Sequence, residues 1–178
     1  MNRRLASGLA APALVLATVL TPLPIIQVRS AAAGDVDPMS DQTLFLQVRG
    51  TTDRQPGTPP DEFVYILDVY DMRNQKVGAV THILRLTSAT TGDLTSTFDL
   101  PDGSLVNRVE EVFAPDSTRP GFYLIGIHPA HDTLQGDKGS GAYAGRTGRV
   151  RMSGWHDATR FPHTVALDDF WEIRLGAT

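Results

Sequence analysis

The sequence predicts an all-β protein, an eight-stranded antiparallel barrel, and three observations lead to this prediction. Short segments rich in β-branched and aromatic residues recur at close, regular spacing, turn residues separate them, and no segment has the apolar periodicity of an amphipathic helix. A closed barrel leaves no exposed sheet edge, and eight strands enclose a lumen that holds side chains or one small ligand.

The first 41 residues predict two segments that precede the barrel. Arg3 and Arg4 are followed by an apolar run from Leu5 to Leu20, and small residues end the segment at Ala33. This pattern is typical of a signal peptide, residues 1–33, so we expect export with cleavage near Ala33 and membrane contact through this segment alone; a retained anchor is the alternative. Residues 34–41 are small and polar and predict a flexible leader, and residues 42–178 form one barrel domain.

Charge and composition limit the partners of the mature chain. Removal of residues 1–33 takes away three arginines and no acid, which changes the formal net charge from −4 to −7. Such a charge argues against nucleic acid or an anionic membrane surface as a partner and favours a neutral or apolar small molecule. The chain has no cysteine, so it forms no disulfide and carries no thiolate chemistry.

The expected strands follow one another along the chain with recognisable turns between them. Pro101-Asp102-Gly103 is a strong hairpin signal, because Asp-Gly accepts the positive φ angles of a primed turn. Pro56, Pro59 and Pro60 mark a longer loop, and a polar loop is expected over 128–138. The strands are predicted at 43–48, 63–70, 77–87, 95–100, 105–113, 122–127, 143–152 and 170–175.

The glycine-rich segment Gly139–Val150 is the most distinctive part of the sequence. It reads Gly-Ser-Gly-Ala-Tyr-Ala-Gly-Arg-Thr-Gly-Arg-Val and lacks both the Gly-Lys-Ser/Thr ending and the following helix of a phosphate-binding loop. It is therefore interpreted as a bend that leads into a strand, in which Gly145 and Gly148 allow the curvature that closure requires.

Three segments together resemble the allene oxide cyclase and dirigent barrels. Gly139–Val150 is similar to the family signature Gly-Gly-Thr-Gly-x-Tyr/Phe-x-Gly-Ala-x-Gly, Asp68–Asp71 through Gly78 is similar to its early hairpin, and Phe98–Gly103 to its middle hairpin. The resemblance covers about Thr43 to Met152. It implies a calycin-like eight-stranded barrel, often oligomeric, whose lumen steers a cyclisation without a cofactor.

Within that family the chain is most similar in kind to bacterial natural-product cyclases of the spirotetronate and polyether type, which promote [4+2] cycloadditions. The resemblance implies a cofactor-independent cyclase or isomerase acting on an apolar, polyketide-like intermediate in antibiotic biosynthesis. Gln47, where allene oxide cyclases have glutamate, argues against allene oxide cyclisation itself. The alternative is a secreted barrel that binds or guides a lipophilic molecule without turnover.

The candidate catalytic residues are the polar side chains that a strand can direct into the lumen. Tyr65 shares a strand face with Phe63 and Leu67, and either that face or the opposite one is lumenal. His82, if lumenal, is a hydrogen-bond donor or general acid. Glu110 and Glu111 face opposite ways, so one points inward, and Glu110 is the predicted acid.

The remaining candidates are apolar walls of a substrate pocket. Leu84 lies on the same strand face as His82, Trp155 lies in an expected loop that caps one barrel mouth, and Trp171 is either a wall residue or plain core. His128, His131, His156 and His163 are interpreted as surface loop histidines, because they lack the spacing and clustered carboxylates of a metal site. No metal and no cofactor are therefore predicted.

Overall fold

The computed structural model describes residues 42–128 and 133–176. The predicted signal peptide and leader lie outside the described residues and stay predictions. The strands in the described residues are β1 (Gln42–Asp53), β2 (Phe63–Tyr70), β3 (Lys76–Leu86), β4 (Thr91–Leu100), β5 (Gly103–Pro115), β6 (Phe122–Ile127), β7 (Thr133–Leu134), β8 (Gly148–Asp157) and β9 (Thr164–Leu175). No helix in this part of the chain is long and apolar enough to cross a membrane.

Eight of these strands form a closed antiparallel barrel, which confirms the predicted fold class. Each strand from β1 to β5 pairs with the strand that follows it, β6 pairs with β8, and β9 pairs with both β8 and β1. The short strand β7 is additional and pairs with β5 and β8 beyond the end of β6. Closure leaves β1 hydrogen-bonded on both sides, which removes the sheet edges that a small β protein must otherwise protect.

Two late strands differ from the sequence prediction, and the difference matters for the site. β8 starts only at Gly148 but continues through Trp155 and His156, which were expected in a loop, and β9 begins at Thr164 instead of Phe170. The 12-residue β9 pairs along its whole length with β1, so tertiary pairing extends it beyond its most apolar part.

The inner faces of the strands build a core that fills the middle of the barrel. Along β2 the side chains of Tyr65, Leu67 and Val69 are buried, whereas Ile66 between them is 48% exposed. At the centre, Phe98 and Trp171 are fully buried and meet edge to face, with ring centroids 5.2 Å apart. Offset and edge-to-face aromatic pairs are favourable, so this pair stabilises the packed core of the barrel.

The two ends of the barrel are closed differently. The hairpins and loops at 54–62, 87–90, 116–121 and 158–163 lie at one end, which we call the upper end. The glycine-rich segment lies at the opposite, lower end. A 3₁₀ turn at Gly136–Lys138 precedes the segment and a second one, Gly141–Tyr143, lies within it before β8 begins, so Tyr143 is part of a turn, not of the predicted strand.

The glycine-rich segment packs closely against the β4–β5 hairpin. The Ala142 amide donates to the Asp102 carbonyl at 2.8 Å, and the Ser140 amide donates to the Ser104 carbonyl at 2.9 Å. Gly141 has φ of +57°, and a β-carbon there would lie 2.2 Å from the Asp102 carbonyl oxygen. Only glycine fits this contact, which holds the segment across the lower end with Tyr143 buried against the core.

Candidate functional site

A cavity of about 230 Å³ occupies the upper half of the barrel. It reaches the surface beside Leu86 and Ala89 in the β3–β4 hairpin, both of which are exposed. Its walls are mostly apolar, and its polar groups converge from six strands. The lining residues are Tyr65, His82, Leu84, Leu86, Ala89, Leu94, Glu111, Phe113, Tyr123, His156, Ala158, Phe161, Val165, Leu167 and Asp169.

Tyr65 faces the lumen, as its predicted strand face requires. Its hydroxyl donates a hydrogen bond to the Pro162 carbonyl oxygen at 3.1 Å. Burial raises the pKa of Tyr65 to about 12, against a smaller opposing effect of the Arg54 charge. The phenol therefore stays protonated, and it is a wall group and hydrogen-bond donor, not a base.

His82 also lines the cavity, where its environment keeps it neutral. Its Nδ1 lies 2.8 Å from the Ser96 hydroxyl oxygen, and its ring stacks on Trp171 at 5.8 Å between centroids. Burial, and then the nearby charge of His156, lower the pKa of His82 to about 3. So low a pKa argues against the predicted role of general acid near neutral pH, whereas the predicted role of hydrogen-bond donor is compatible with it, because a neutral imidazole keeps one N–H group.

The strongest polar feature of the cavity is a cluster of Glu111, His156 and Asp169 from strands β5, β8 and β9. His156 Nε2 lies 3.0 Å from Asp169 Oδ2 and 3.9 Å from Glu111 Oε1. The Glu111 and Asp169 side chains are 1% and 2% exposed. Carboxylates so deeply buried are stable only with a compensating charge, and His156 is that charge.

Each member of the cluster shifts the protonation of the others. Burial raises the pKa of Glu111 to about 7; the His156 charge lowers it and the Asp169 charge raises it. For His156, burial lowers the pKa, but the charge and hydrogen bond of Asp169, with the Glu111 charge, outweigh this effect and raise it. The cluster thus places a histidine whose pKa is raised beside a carboxyl group whose pKa is raised to about 7.

Two sequence-predicted site residues lie outside the lumen. Glu110 faces outward, with its carboxylate 4.0 Å from the His128 ring, and the inward acid is its neighbour Glu111. Strand alternation predicts that only one of the two faces inward, but not which one. Trp155 is 40% exposed on the outer face of β8 and packs near Phe122, so it does not cap the barrel.

The other predicted pocket residues divide between wall and core. Leu84 lines the cavity as expected. Phe63 supports the wall from behind, with its ring 4.7 Å from that of Phe161. Leu67 and Trp171 are buried core residues that do not line the cavity, which for Trp171 agrees with the plain-core alternative.

Sequence reasoning missed three of the important residues, Glu111, His156 and Asp169, as lumenal groups. The signal that identifies the last two is strand phase: His156 follows Val150 and Met152 at even spacing, and Asp169 follows Val165 and Leu167 in the same way. An acid and a histidine in phase with buried residues are candidates for a lumenal site.

The comparisons with known proteins do not identify a family. No protein-family model matches the chain, and no curated protein is significantly similar to it. Within residues 42–128 and 133–176, no group of three or more His, Asp or Glu side chains is arranged to hold a metal ion. The lumenal cluster is therefore described by its own geometry, as an ion-paired histidine between two buried carboxyl groups.

Proposed function

We propose that the chain is a cofactor-independent isomerase or cyclase that takes a small, largely apolar molecule into the barrel lumen. The observation that carries this proposal is the cluster of Glu111, His156 and Asp169, which faces an otherwise apolar cavity. Apolar cavities with a few converging polar groups of perturbed pKa are the usual form of enzyme sites.

The protonation of the cluster supports catalysis rather than simple storage of a ligand. General acid–base catalysis works best when the pKa of the acting group lies near the working pH. Glu111, with its pKa raised to about 7 by burial, meets this condition, and Asp169 fixes the imidazole beside it.

The size of the cavity limits the substrate. A volume of about 230 Å³ lies below the ~300–1,000 Å³ typical of drug-sized ligand sites. The lumen therefore suits a compact molecule, or the reactive segment of a longer one whose remainder stays outside the upper end. An intramolecular cyclisation of a polyketide-like chain, including a [4+2] addition, belongs to the second case, as the resemblance to allene oxide cyclase and dirigent barrels implies.

The proposal is tested with the small molecules of the source organism. Purified protein is incubated with a culture extract, and the extract is compared by mass spectrometry before and after. We expect one compound to be replaced by another of the same mass and different retention, with wild-type protein and Glu110→Gln but not with Glu111→Gln. A compound that is bound and released unchanged supports the non-catalytic carrier and contradicts the enzyme.

Export and self-association are further parts of this proposal. Export is supported by the pattern of residues 1–33, and N-terminal sequencing of the protein from culture medium should start near Gly34. Outward aromatic pairs, Phe45 with Phe170 and Phe122 with Trp155, support a homo-oligomer, which light scattering at several concentrations tests.

A further inference from the structure

The two ring nitrogens of His156 have different surroundings, and the difference indicates which nitrogen is available to a ligand. Nε2 lies between the two carboxyl groups and makes its hydrogen bond with Asp169. Nδ1 has no hydrogen-bond partner among the described residues, and His156 lines the cavity. A histidine held at one nitrogen by a carboxylate presents the other nitrogen in a fixed orientation.

Glu111 completes the arrangement from the neighbouring wall. Its Oε1 is buried without a hydrogen-bond partner among the described residues, although His156 lies 3.9 Å away. A buried carboxyl oxygen left unpaired is costly, and such groups are usually retained for a role in binding or catalysis. The lumen thus places a carboxyl oxygen that makes no hydrogen bond among the described residues beside an oriented imidazole.

We infer that the lumen catalyses proton transfer at carbon in compact enolisable carbonyl compounds, with His156 Nδ1–H bound to the carbonyl oxygen and Glu111 as the base. This inference rests on the proposed function and names its substrate class: small ketones or enones whose C–H bond next to the carbonyl is acidic. The carbon skeleton packs against the apolar wall of Leu84, Leu94 and Val165.

The step is balanced without any added reagent. Glu111 removes a proton from the carbon next to the carbonyl, that C–H bond breaks, and its electron pair forms the enolate, whose oxygen accepts the hydrogen bond from His156. Glu111 then returns the proton to the same carbon, or to the γ carbon of a β,γ-unsaturated ketone. The second route moves the double bond into conjugation and gives an isomer of unchanged mass; attack of the enolate carbon on a second carbonyl in the same molecule forms a C–C bond, breaks the π bond of that carbonyl, and gives a ring whose alkoxide takes the proton from Glu111.

The assignment of the two roles follows from the charges around each group. The charge and hydrogen bond of Asp169 raise the pKa of His156, which favours the protonated form that donates to a developing oxyanion. The titratable groups that share the cavity with Glu111 are His156, Asp169, His82, Tyr65 and Tyr123. His82 and Tyr65 are neutral near pH 7, because burial lowers the pKa of the first and raises that of the second. Activity should therefore rise with pH as Glu111 ionises.

The experiment uses cyclohex-3-en-1-one as the probe, with the purified full barrel in D₂O. Proton NMR follows deuterium incorporation next to the carbonyl and formation of the conjugated isomer, after subtraction of the rate in buffer. We expect wild type and the matched control Glu110→Gln to exchange at equal rates, and Glu111→Gln to lose about 10²–10⁴-fold, the usual contribution of a general base. Glu111→Asp, which keeps a carboxylate, should retain more activity than Glu111→Gln, and circular dichroism checks that each variant is folded.

Three results overturn the inference. These are exchange no faster than in buffer although saturation-transfer NMR shows the probe bound, equal exchange in Glu111→Gln and wild type, or no binding of the probe at millimolar concentration. The proposed function fails separately, in the extract experiment. If an isomer forms in that experiment while the probe does not react, the proposed function is supported, but the roles of Glu111 as base and His156 as hydrogen-bond donor are contradicted.

Discussion

Gly154 in β8 lies directly opposite Asp169 in β9, and a β-carbon at Gly154 would lie 2.1 Å from Asp169 Oδ1. The absence of a side chain at position 154 thus gives the Asp169 carboxylate the space in which it meets His156. A glycine within a strand is often a sign of such a close approach.

We expect Gly154→Ala to displace the Asp169 carboxylate and to weaken its pairing with His156. Because Asp169 raises the pKa of His156, the substitution should lower that pKa, which an NMR titration of the His156 ring protons measures. Backbone atoms of Asp168 and Asp169 also crowd this position, so the free energy of unfolding should fall by about 1–3 kcal/mol. Gly126→Ala in β6 is the matched control, because its nearest neighbour would be 3.9 Å away, at the Met152 carbonyl oxygen. An unchanged His156 titration in Gly154→Ala would contradict this account.

Glu111 should make the protein less stable as pH rises. Its pKa is 4.5 when unperturbed and about 7 in the folded barrel, so between these values the folded state binds more protons than the unfolded chain. Stability that is present below about pH 4.5 is therefore lost as pH approaches 7, by on the order of 3 kcal/mol. Glu111→Gln should remove this part of the slope in urea unfolding measured from about pH 4 to 8. Glu110→Gln should keep the wild-type slope; the same flattening in both variants would show that burial of Glu111 is not the cause.

Asn107 is a candidate for stabilisation. Its side chain is fully buried on β5 opposite Ser96, and neither Oδ1 nor Nδ2 has a hydrogen-bond partner among the described residues. An unsatisfied buried polar group costs about 1–3 kcal/mol, so Asn107→Leu, which has the same branching and number of heavy atoms, should raise the free energy of unfolding by a comparable amount. Asn107→Ala, which leaves a cavity, should not. Urea unfolding of the three proteins decides the matter, and a loss of stability in Asn107→Leu would show that the amide is satisfied in solution.

Gly57 and Gly141 both have positive φ, and alanine substitutions at the two positions distinguish the cost of backbone strain from the cost of a steric clash. Gly57 and Gly141 have φ of +77° and +57°, but a β-carbon at Gly57 meets nothing within 4 Å, whereas one at Gly141 would collide with Asp102. Gly57→Ala should therefore cost only the strain of a left-handed residue, about 1 kcal/mol, and Gly141→Ala should cost clearly more. Thermal unfolding of both variants measures the difference, and equal melting temperatures would mean that the glycine-rich segment does not hold the lower end as described.

The fold was accessible from the sequence because strand alternation and turn residues are local signals. The alternation of Phe63–Tyr70 predicts two faces, and aromatic and aliphatic residues crowd the one that carries Tyr65, which does lie in the lumen. The same alternation separates Glu110 from Glu111 but does not say which side of β5 is inside, because inside and outside are set by closure with distant strands.

The cluster of Glu111, His156 and Asp169 could not be predicted from the sequence for a related reason. Gly154 beside Trp155 has the local character of a loop, so the strand was predicted to end at Met152, before His156. The polar pair Asp168 and Asp169 interrupts the apolar pattern at the start of β9, so that strand was predicted to begin only at Phe170. Both strands continue because each pairs with partners far away in the sequence. The feature that misled the prediction, Gly154, is the one that makes room for Asp169.

The aromatic pair of Phe98 and Trp171 is fully buried in the core, and the cavity is open at the upper end, at a doorway beside the exposed Leu86 and Ala89. Under the proposed function, a product that leaves by this doorway must depart before the next substrate can enter there. A long substrate has to present its reactive end first, and its tail length should change how tightly it is held at the doorway more than how fast it reacts. Slow exchange through that doorway, rather than chemistry, would then set the turnover of bulky substrates.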